Sequence, residues 1–342
     1  MIEGRALTLA EVVTMAHGGG GTRMQDLLRE MIFPALGGQT LEAAEDAALL
    51  EVPPGKLAFT TDSFVVKPLF FSGGDIGKLA VCGTVNDLAM VGARPLYLTL
   101  GLILEEGLPL DDLERVLASV AAAAEDASVR VVAGDIKVVE KGKADGLYVN
   151  TAGVGVVDPG TQVSITGALP GDSLIINGYV GDHGIAVLKD RGDFSFEFQL
   201  DSDCAPLAGL VSEMLIAGRV RALRDPTRGG LAAALKEMAS SSHVSFEVDE
   251  PAIPVREEVR AVCEVLGLDP LYVANEGKLV AIVPAEAATH VLAAMRNHPL
   301  GRESAIIGTV TDKHPGMVTM KTAFGTTRIV DMLPGDQLPR IC

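Results

Sequence analysis

Tryptophan is absent from this 342-residue chain, and aromatic side chains of all kinds make up 4% of it. That scarcity argues against a binding module built on aromatic anchors. The abundance of Gly, Ala, Val and Leu suits an α/β enzyme with close helix–sheet packing. No stretch approaches the roughly 20 uninterrupted apolar residues of a membrane span. No basic segment followed by an apolar one marks a secretory signal. Paired cysteines are missing too. Cys82, Cys204, Cys263 and Cys342 are scattered without a Cys-x-x-Cys pair, and a reduced, cytoplasmic setting is the simplest account. Cys82 and Cys263 lie in apolar runs and read as small core residues. Positive charge is scarce, with 28 Lys and Arg against 45 Asp and Glu, a formal charge of −17. Such a surface repels nucleic acid. It still admits a polyphosphate if divalent metal bridges the charges, and that requirement directs attention to the carboxylates.

What is present begins with glycine. The run His17-Gly18-Gly19-Gly20-Gly21-Thr22 precedes an apolar-periodic segment, so backbone N–H groups of the loop can approach an anion, with Thr22 expected as the helix cap. It lacks the Gly-Lys-Ser/Thr of a Walker A loop, and a flexible linker is an even alternative. A strand-like segment then ends in Thr61-Asp62-Ser63, where open α/β sheets place ligands. Residues 77–93 read as a helix buried on most faces, with Asn86-Asp87 inside it; an unpaired charge there is costly, so a metal, a basic partner or an ordinary ion pair is expected. An amphipathic helix spans 111–127, opened by Asp111 with Glu114 in a capping-box pattern. A strand over 129–133 runs into Gly134-Asp135-Ile136-Lys137, and period-2 alternation puts Lys137 on the face of Asp135. Asp62, Asp87 and Asp135, with Asp46, form a set of carboxylates expected to converge on hard cations. A strand over 147–157 closes this half.

The second half resembles the first in plan. A β pattern restarts at 163, and 174–176 is a strand. His183, in a glycine-rich turn before a helix, reads as a capping or loop residue ahead of a ligand or base. Arg224-Asp225-Pro226-Thr227-Arg228-Gly229-Gly230 forms an anion-accepting turn before another helix. Asn275-Glu276-Gly277-Lys278 places a carboxylate at a strand–turn junction. The chain ends in Leu338-Pro339-Arg340-Ile341-Cys342, on an approach containing Pro334 and Gly335 that continues neither helix nor ladder. Extended, residues 331–342 reach roughly 40 Å, at about 3.3–3.6 Å per residue. Taken alone, a terminal cysteine reads as incidental on a frayed tail.

The motifs at 17–21, 86–95, 134–139, 181–186, 225–232 and 275–279, with the terminal Pro-Arg-Ile-Cys, resemble the HypE family across essentially the whole chain. That family comprises hydrogenase-maturation carbamoyl dehydratases within the PurM/SelD-like ATP-binding superfamily. The resemblance implies an N-terminal α/β domain over 41–158 behind a glycine-rich segment over 1–40. Its sheet pairs across a homodimer into a β-barrel. A C-terminal α/β domain follows over 159–330, then a mobile tail over 331–342. It implies ATP-dependent dehydration of a carbamoyl group on Cys342 to a thiocyanate, with HypF as donor and the HypC–HypD complex as acceptor. It further implies Mg²⁺ and ATP ligands at Asp46, Asp62, Asp87 and Asp225, and a nucleotide site including Gly18, Gly19, Gly20, Gly21, Thr61, Asn86, Gly134 and Asp135. On the same resemblance, Lys137 and Glu276 are expected to face the thiocarbamate. Glu45-Asp46 departs from the double aspartate common at that point, which leaves the ligand of that pair open. The competing readings are a selenophosphate synthetase-like phosphotransferase, which needs a reactive Cys near the glycine loop, and a non-catalytic ATP-binding scaffold or Cys342 redox sensor.

Overall fold

The computed structural model describes residues 12–37, 47–192, 198–335, 338 and 340–342. Asp46 lies outside the described residues.

The glycine loop leads into α1 (Thr22–Leu27), a five-residue π turn and α2 (Phe33–Leu36). The N-cap of α1 is Gly21, so Thr22 is the first helical residue and not the cap. Four strands build the first sheet, in the order β1 (Lys56–Phe64), β6 (Leu147–Val157), β4 (Ala93–Glu105) and β5 (Arg130–Val139). Between β1 and β4 the chain forms a two-stranded ribbon of β2 (Phe70–Phe71) and β3 (Gly74–Asp75), then α3 (Ile76–Met90). Asp75 caps α3 by accepting from the Gly77 and Lys78 amides. As the apolar sequence requires, α3 is buried on nearly every side. A Cβ at Gly153 would stand 2.7 Å from Thr84 Cγ2, so that glycine is what lets α3 lie this close to the sheet. Strands β4 and β5 are parallel and joined by α4 (Leu110–Asp126). The Asp111–Glu114 capping box does not form: Pro109 occupies the N-cap and no side chain caps the helix.

The second sheet has seven strands: β13 (Thr327–Val330), β12 (Val318–Lys321), β9 (Ser245–Asp249), β11 (Ala305–Thr311), β7 (Ser173–Ile176), β10 (Val280–Val283) and β8 (Ala222–Arg224), in that spatial order. Around it run α5 (Asp182–Arg191), α6 (Ala208–Ala217), α7 (Gly230–Ser242), α8 (Glu257–Leu266) and α9 (Ala285–Asn297). β10 shows why its sequence is continuously apolar. Val280 and Ile282 join the core under α7, while Leu279, Ala281 and Val283 join the core under α6 and α9. A strand covered on both faces has no polar side to display. No strand forms at 163–172, against the expected restart of the β pattern there.

The two sheets meet through α3. Its first half belongs to the core of the first sheet, while Ala89 and Met90 pack with Ile175, Leu207 and Leu210 beside the second. Residues from both halves are therefore brought together where α3, β1, β8 and the turn before β10 converge.

Candidate active site

Asp62 on β1 faces α3: its Oδ2 lies 3.8 Å from the point where a Cβ on Gly83 would stand. Two residues back on the same face, Thr60 donates to Asp87 Oδ2 at 2.8 Å. Asp225 follows β8 and is buried. These three carboxylates act on one another. Burial raises the Asp62 carboxyl and Asp87 adds to the rise, while the Ser63 amide and Arg228 oppose it. Burial pushes Asp225 up to about 6, with Asp87 and Asp62 reinforcing and Arg224 resisting. Among the described residues no three His, Cys, Asp or Glu stand close enough to hold a metal ion as they are. A set of neighbouring acids that repel one another nevertheless fits a cation, because a divalent charge removes the repulsion that adds to the rise at Asp62 and Asp225.

Glu276 lies at the same convergence. It is buried, one carboxylate oxygen has no protein partner, and burial lifts its carboxyl well above the usual range, helped by Asp203, Asp225, Asp62 and Cys82. No strand ladder holds this turn; side chains from three segments do so instead. The Glu276 amide donates to Asp203 Oδ1 at 3.0 Å, and Asn86 Nδ2 donates to the Glu276 carbonyl at 3.2 Å. Asn177 takes the Gly277 carbonyl at 3.1 Å and the Leu279 amide at 2.8 Å. The partner that Asn86 needs is thus backbone, on Glu276, Ala205 and Leu207. Asp203 forms an ion pair with Lys278 at 3.0 Å, both nearly buried. Sequence reasoning missed Asp203 and Asn177, since an isolated polar residue in a loop carries no period to mark it.

Asp135 and Lys137 do not join this cluster. Asp62 pairs with Thr151, Thr151 with Leu100 and Leu100 with Gly134, so Gly134 shares the α3 face and Asp135 and Lys137 project from the other. The strand expected to end at Ala133 continues to Val139, which is why Asp135 is a mid-strand residue and not a junction ligand. The shared face of Asp135 and Lys137 is confirmed: Lys137 Nζ lies 2.6 Å from Asp135 Oδ2, both well exposed. Thr61 is on this outer face as well, its hydroxyl donating to the Thr151 carbonyl at 2.9 Å. The glycine loop lies against the end of the same strand. A Cβ on Gly18 would come within 2.9 Å of Val138, whereas around Gly20 and Gly21 nothing stands within 4 Å of that position.

The tail is docked. Ile341 is 4% exposed within the core of the first sheet, a burial that contributes about 1.5–3 kcal/mol. Cys342, half-buried, lines a cavity of about 490 Å³ with Arg228, Gly229, Tyr272 and Ala274. His183 is neither a ligand nor a loop residue: it is fully buried in the first turn of α5 and bonded through both ring nitrogens, to Ser202 Oγ at 2.8 Å and to the Ile341 carbonyl at 2.9 Å. Cys82 and Cys263 are core residues as expected, and so is Cys204.

Beside His183, Asp182 is buried with one oxygen bonded to Arg256 and the other without a protein partner, and burial pushes its carboxyl up to about 6. The ordinary value is 3.8, so the folded protein keeps a proton here that the unfolded chain has released. Stability therefore falls as pH rises from about 4 to about 6, by roughly 3 kcal/mol at most. Asp182→Asn is expected to flatten that slope, measured as denaturant midpoints on either side of the window.

The AIR synthase related protein family models match here in sequence order, the N-terminal domain over residues 44–157 and the C-terminal domain over 170–321. "Carbamoyl dehydratase HypE" of Azotobacter vinelandii is 56% identical over 331 residues, which cover 96% of this chain and 97% of that one. The chain belongs to the HypE family. A crystal structure of hydrogenase maturation protein HypE in complex with ATP superposes with a TM-score of 0.92 at 46% identity, over 96% of this chain and 99% of the other. The HypE of a HypE–HypF complex superposes with a TM-score of 0.79 at 48% identity, over 90% and 99%. The fold is accordingly the two-domain, mixed α/β PurM-like arrangement. The described residues of this single chain close no barrel: the first sheet ends on β1 and β5. Among them, no helix is long and apolar enough to cross a membrane.

Proposed function

We propose that the protein catalyses ATP-dependent dehydration of an S-carbamoyl group on its own Cys342, giving a thiocyanate that supplies cyanide for the iron of [NiFe]-hydrogenase. The observation that carries this reading is the docked tail: burial of Ile341 brings the terminal thiol into the cavity lined by Tyr272 and Ala274, residues of the segment that runs on in sequence to Glu276.

The amide oxygen of a carbamoyl group is a poor leaving group, and bound ATP with magnesium supplies the phosphoryl group and counter-charge that make it a good one. Asp62, Asp87 and Asp225 would hold the magnesium once drawn together by its charge, with Asp46 as the further ligand implied by the family. Gly18 to Gly21 cover the nucleotide. Burial around Glu276 and Ile341 keeps water from the carbamoyl carbon, where hydrolysis competes with dehydration. Glu276 accepts a proton from the carbamoyl nitrogen, and its two backbone anchors, Asp203 and Asn86, fix where that carboxylate sits. Thr61, Asp135 and Lys137 lie on the outer face, which also exposes Leu57 (65%), Phe59 (72%) and Ile103 (41%). An apolar face of that size fits a second copy of this sheet. In a homodimer Lys137 steers charge from the barrel side. HypF is the carbamoyl donor and the HypC–HypD complex the cyanide acceptor.

Mass spectrometry of the C-terminal peptide, after incubation with HypF, carbamoyl phosphate and ATP, tests this reading. A carbamoyl adduct on Cys342 that loses one water supports it; no adduct there, or an adduct indifferent to ATP, overturns it. Asp225→Asn should weaken magnesium-dependent ATP binding about tenfold or more. The same change should raise the metal-free unfolding midpoint, because it removes a carboxylate held against burial and like charge. Calorimetric titration and thermal unfolding check the two signs.

A further inference from the structure

Arg340 and Ile341, the two residues before the terminal cysteine, each meet separate receptor groups. The Arg340 guanidinium pairs with Asp145 and reaches the Val65 carbonyl at 3.4 Å. The Arg340 carbonyl accepts from the Lys67 amide at 3.3 Å and from Arg191 at 3.1 Å. The Ile341 side chain is buried, and its carbonyl accepts from His183. We propose that Asp145, the Val65–Lys67 backbone and His183 form a receptor for the Arg-Ile-Cys terminus, in which His183 is a positioning residue that fixes the Cys342 sulfur through the Ile341 carbonyl. This rests on Cys342 being the substrate carrier.

The receptor reads both sequence and backbone. Only a long cation at 340 spans from the Val65 carbonyl to Asp145, and only an apolar residue at 341 fits the core of the first sheet. His183 adds orientation. Burial keeps the ring neutral, although Asp203 nearby favours the charged form. A neutral ring that takes the Ser202 hydroxyl proton at Nδ1 must carry its own proton at Nε2, aimed at the Ile341 carbonyl. The carbonyl, which can only accept, sets that tautomer, and Ser202 complements it by donating to Nδ1. Phe71 meets the ring edge-on at 5.5 Å and fixes its plane.

The same site is built to let go. Asp145 is shared with Lys67, whose Nζ lies 3.1 Å from both carboxylate oxygens, so the acid stays paired when Arg340 leaves. Arg340 sits at φ +57, a left-handed conformation that L residues adopt at a cost. Docking is therefore held against local backbone strain, and the strain relaxes on withdrawal. A carrier that must be loaded outside and processed inside requires these two properties together.

The test separates loading from processing in the full-length protein. Arg340→Ala and Ser202→Ala are the main variants, since neither opens the core, with His183→Ala beside them. Each is expected to slow water loss from carbamoylated Cys342 about tenfold and to speed alkylation of Cys342 by a bulky maleimide about tenfold, as loss of one anchoring hydrogen bond implies. Carbamoylation by HypF should be no slower, and ATP binding should be unchanged. A merely structural role would slow loading and processing together and weaken ATP binding. Wild-type rates of both alkylation and water loss in Arg340→Ala and Ser202→Ala overturn the receptor. If instead the wild-type chain never carries a carbamoyl group on Cys342, the functional reading fails, while the alkylation rates still decide whether the receptor holds the tail.

Discussion

Replacing Cys342 with serine is expected to abolish thiocyanate formation while leaving fold and ATP binding as they are. The residue is half-buried at the end of the chain, and the ion pair of Arg340 and the buried Ile341 with its carbonyl bond to His183 do not involve the sulfur. Removing its sulfur leaves Ile341 buried and the carboxylate cluster untouched. A hydroxyl is a far weaker nucleophile toward the carbamoyl donor than a thiolate. Labelled carbamoyl phosphate should leave no label on the variant, while nucleotide titration and the thermal midpoint match the parent. Retained label elsewhere on the chain, with product formed, would sink the assignment of the carrier.

Glu276→Gln is the second large effect, and it separates chemistry from structure. Removing a general base costs typically 10²–10⁴-fold. The anchors of this turn are backbone groups, the amide to Asp203 and the carbonyl to Asn86, so glutamine inherits the same position. The carbamoyl adduct should then accumulate on Cys342 without losing water. Stability should hold or rise, since a neutral amide replaces an acid lifted well above its ordinary range by burial. The pH dependence follows from the same lift. A base must be ionised to act, so activity should climb with pH through the raised Glu276 value, and Glu276→Gln should lose that limb. Single-turnover dehydration across a pH series reads both effects. Normal thiocyanate formation by the variant would remove Glu276 from the base role.

Much of the fold was legible because its signals are local. The strand expected over 147–157 is β6 to the residue, and the helix expected over 111–127 is α4 shifted by one. The failures were local competitions that propensity does not settle: Gly21 and Pro109 took caps offered to Thr22 and Asp111. The carboxylates at 62, 87, 225 and 276 were legible as charges placed where apolar segments end or where an apolar helix has no reason to carry one. That they act on one another was not. Their spacing along the chain, from 62 to 276, says nothing of distance until α3 carries its residues from the first sheet to the second.

By itself, then, the sequence determined the elements, the acidic character, the glycine loop and the family, because these depend on periodicity, composition and motif order. Alternation put Lys137 beside Asp135, but only the sheet decided that both face away from Asp62, since period two assigns residues to the same face without saying what covers it. Likewise the terminal cysteine looked untethered in the sequence. The tertiary structure decided otherwise, because the contacts that dock it come from Asp145 and His183, far up the chain, and only packing makes them neighbours of Arg340 and Ile341.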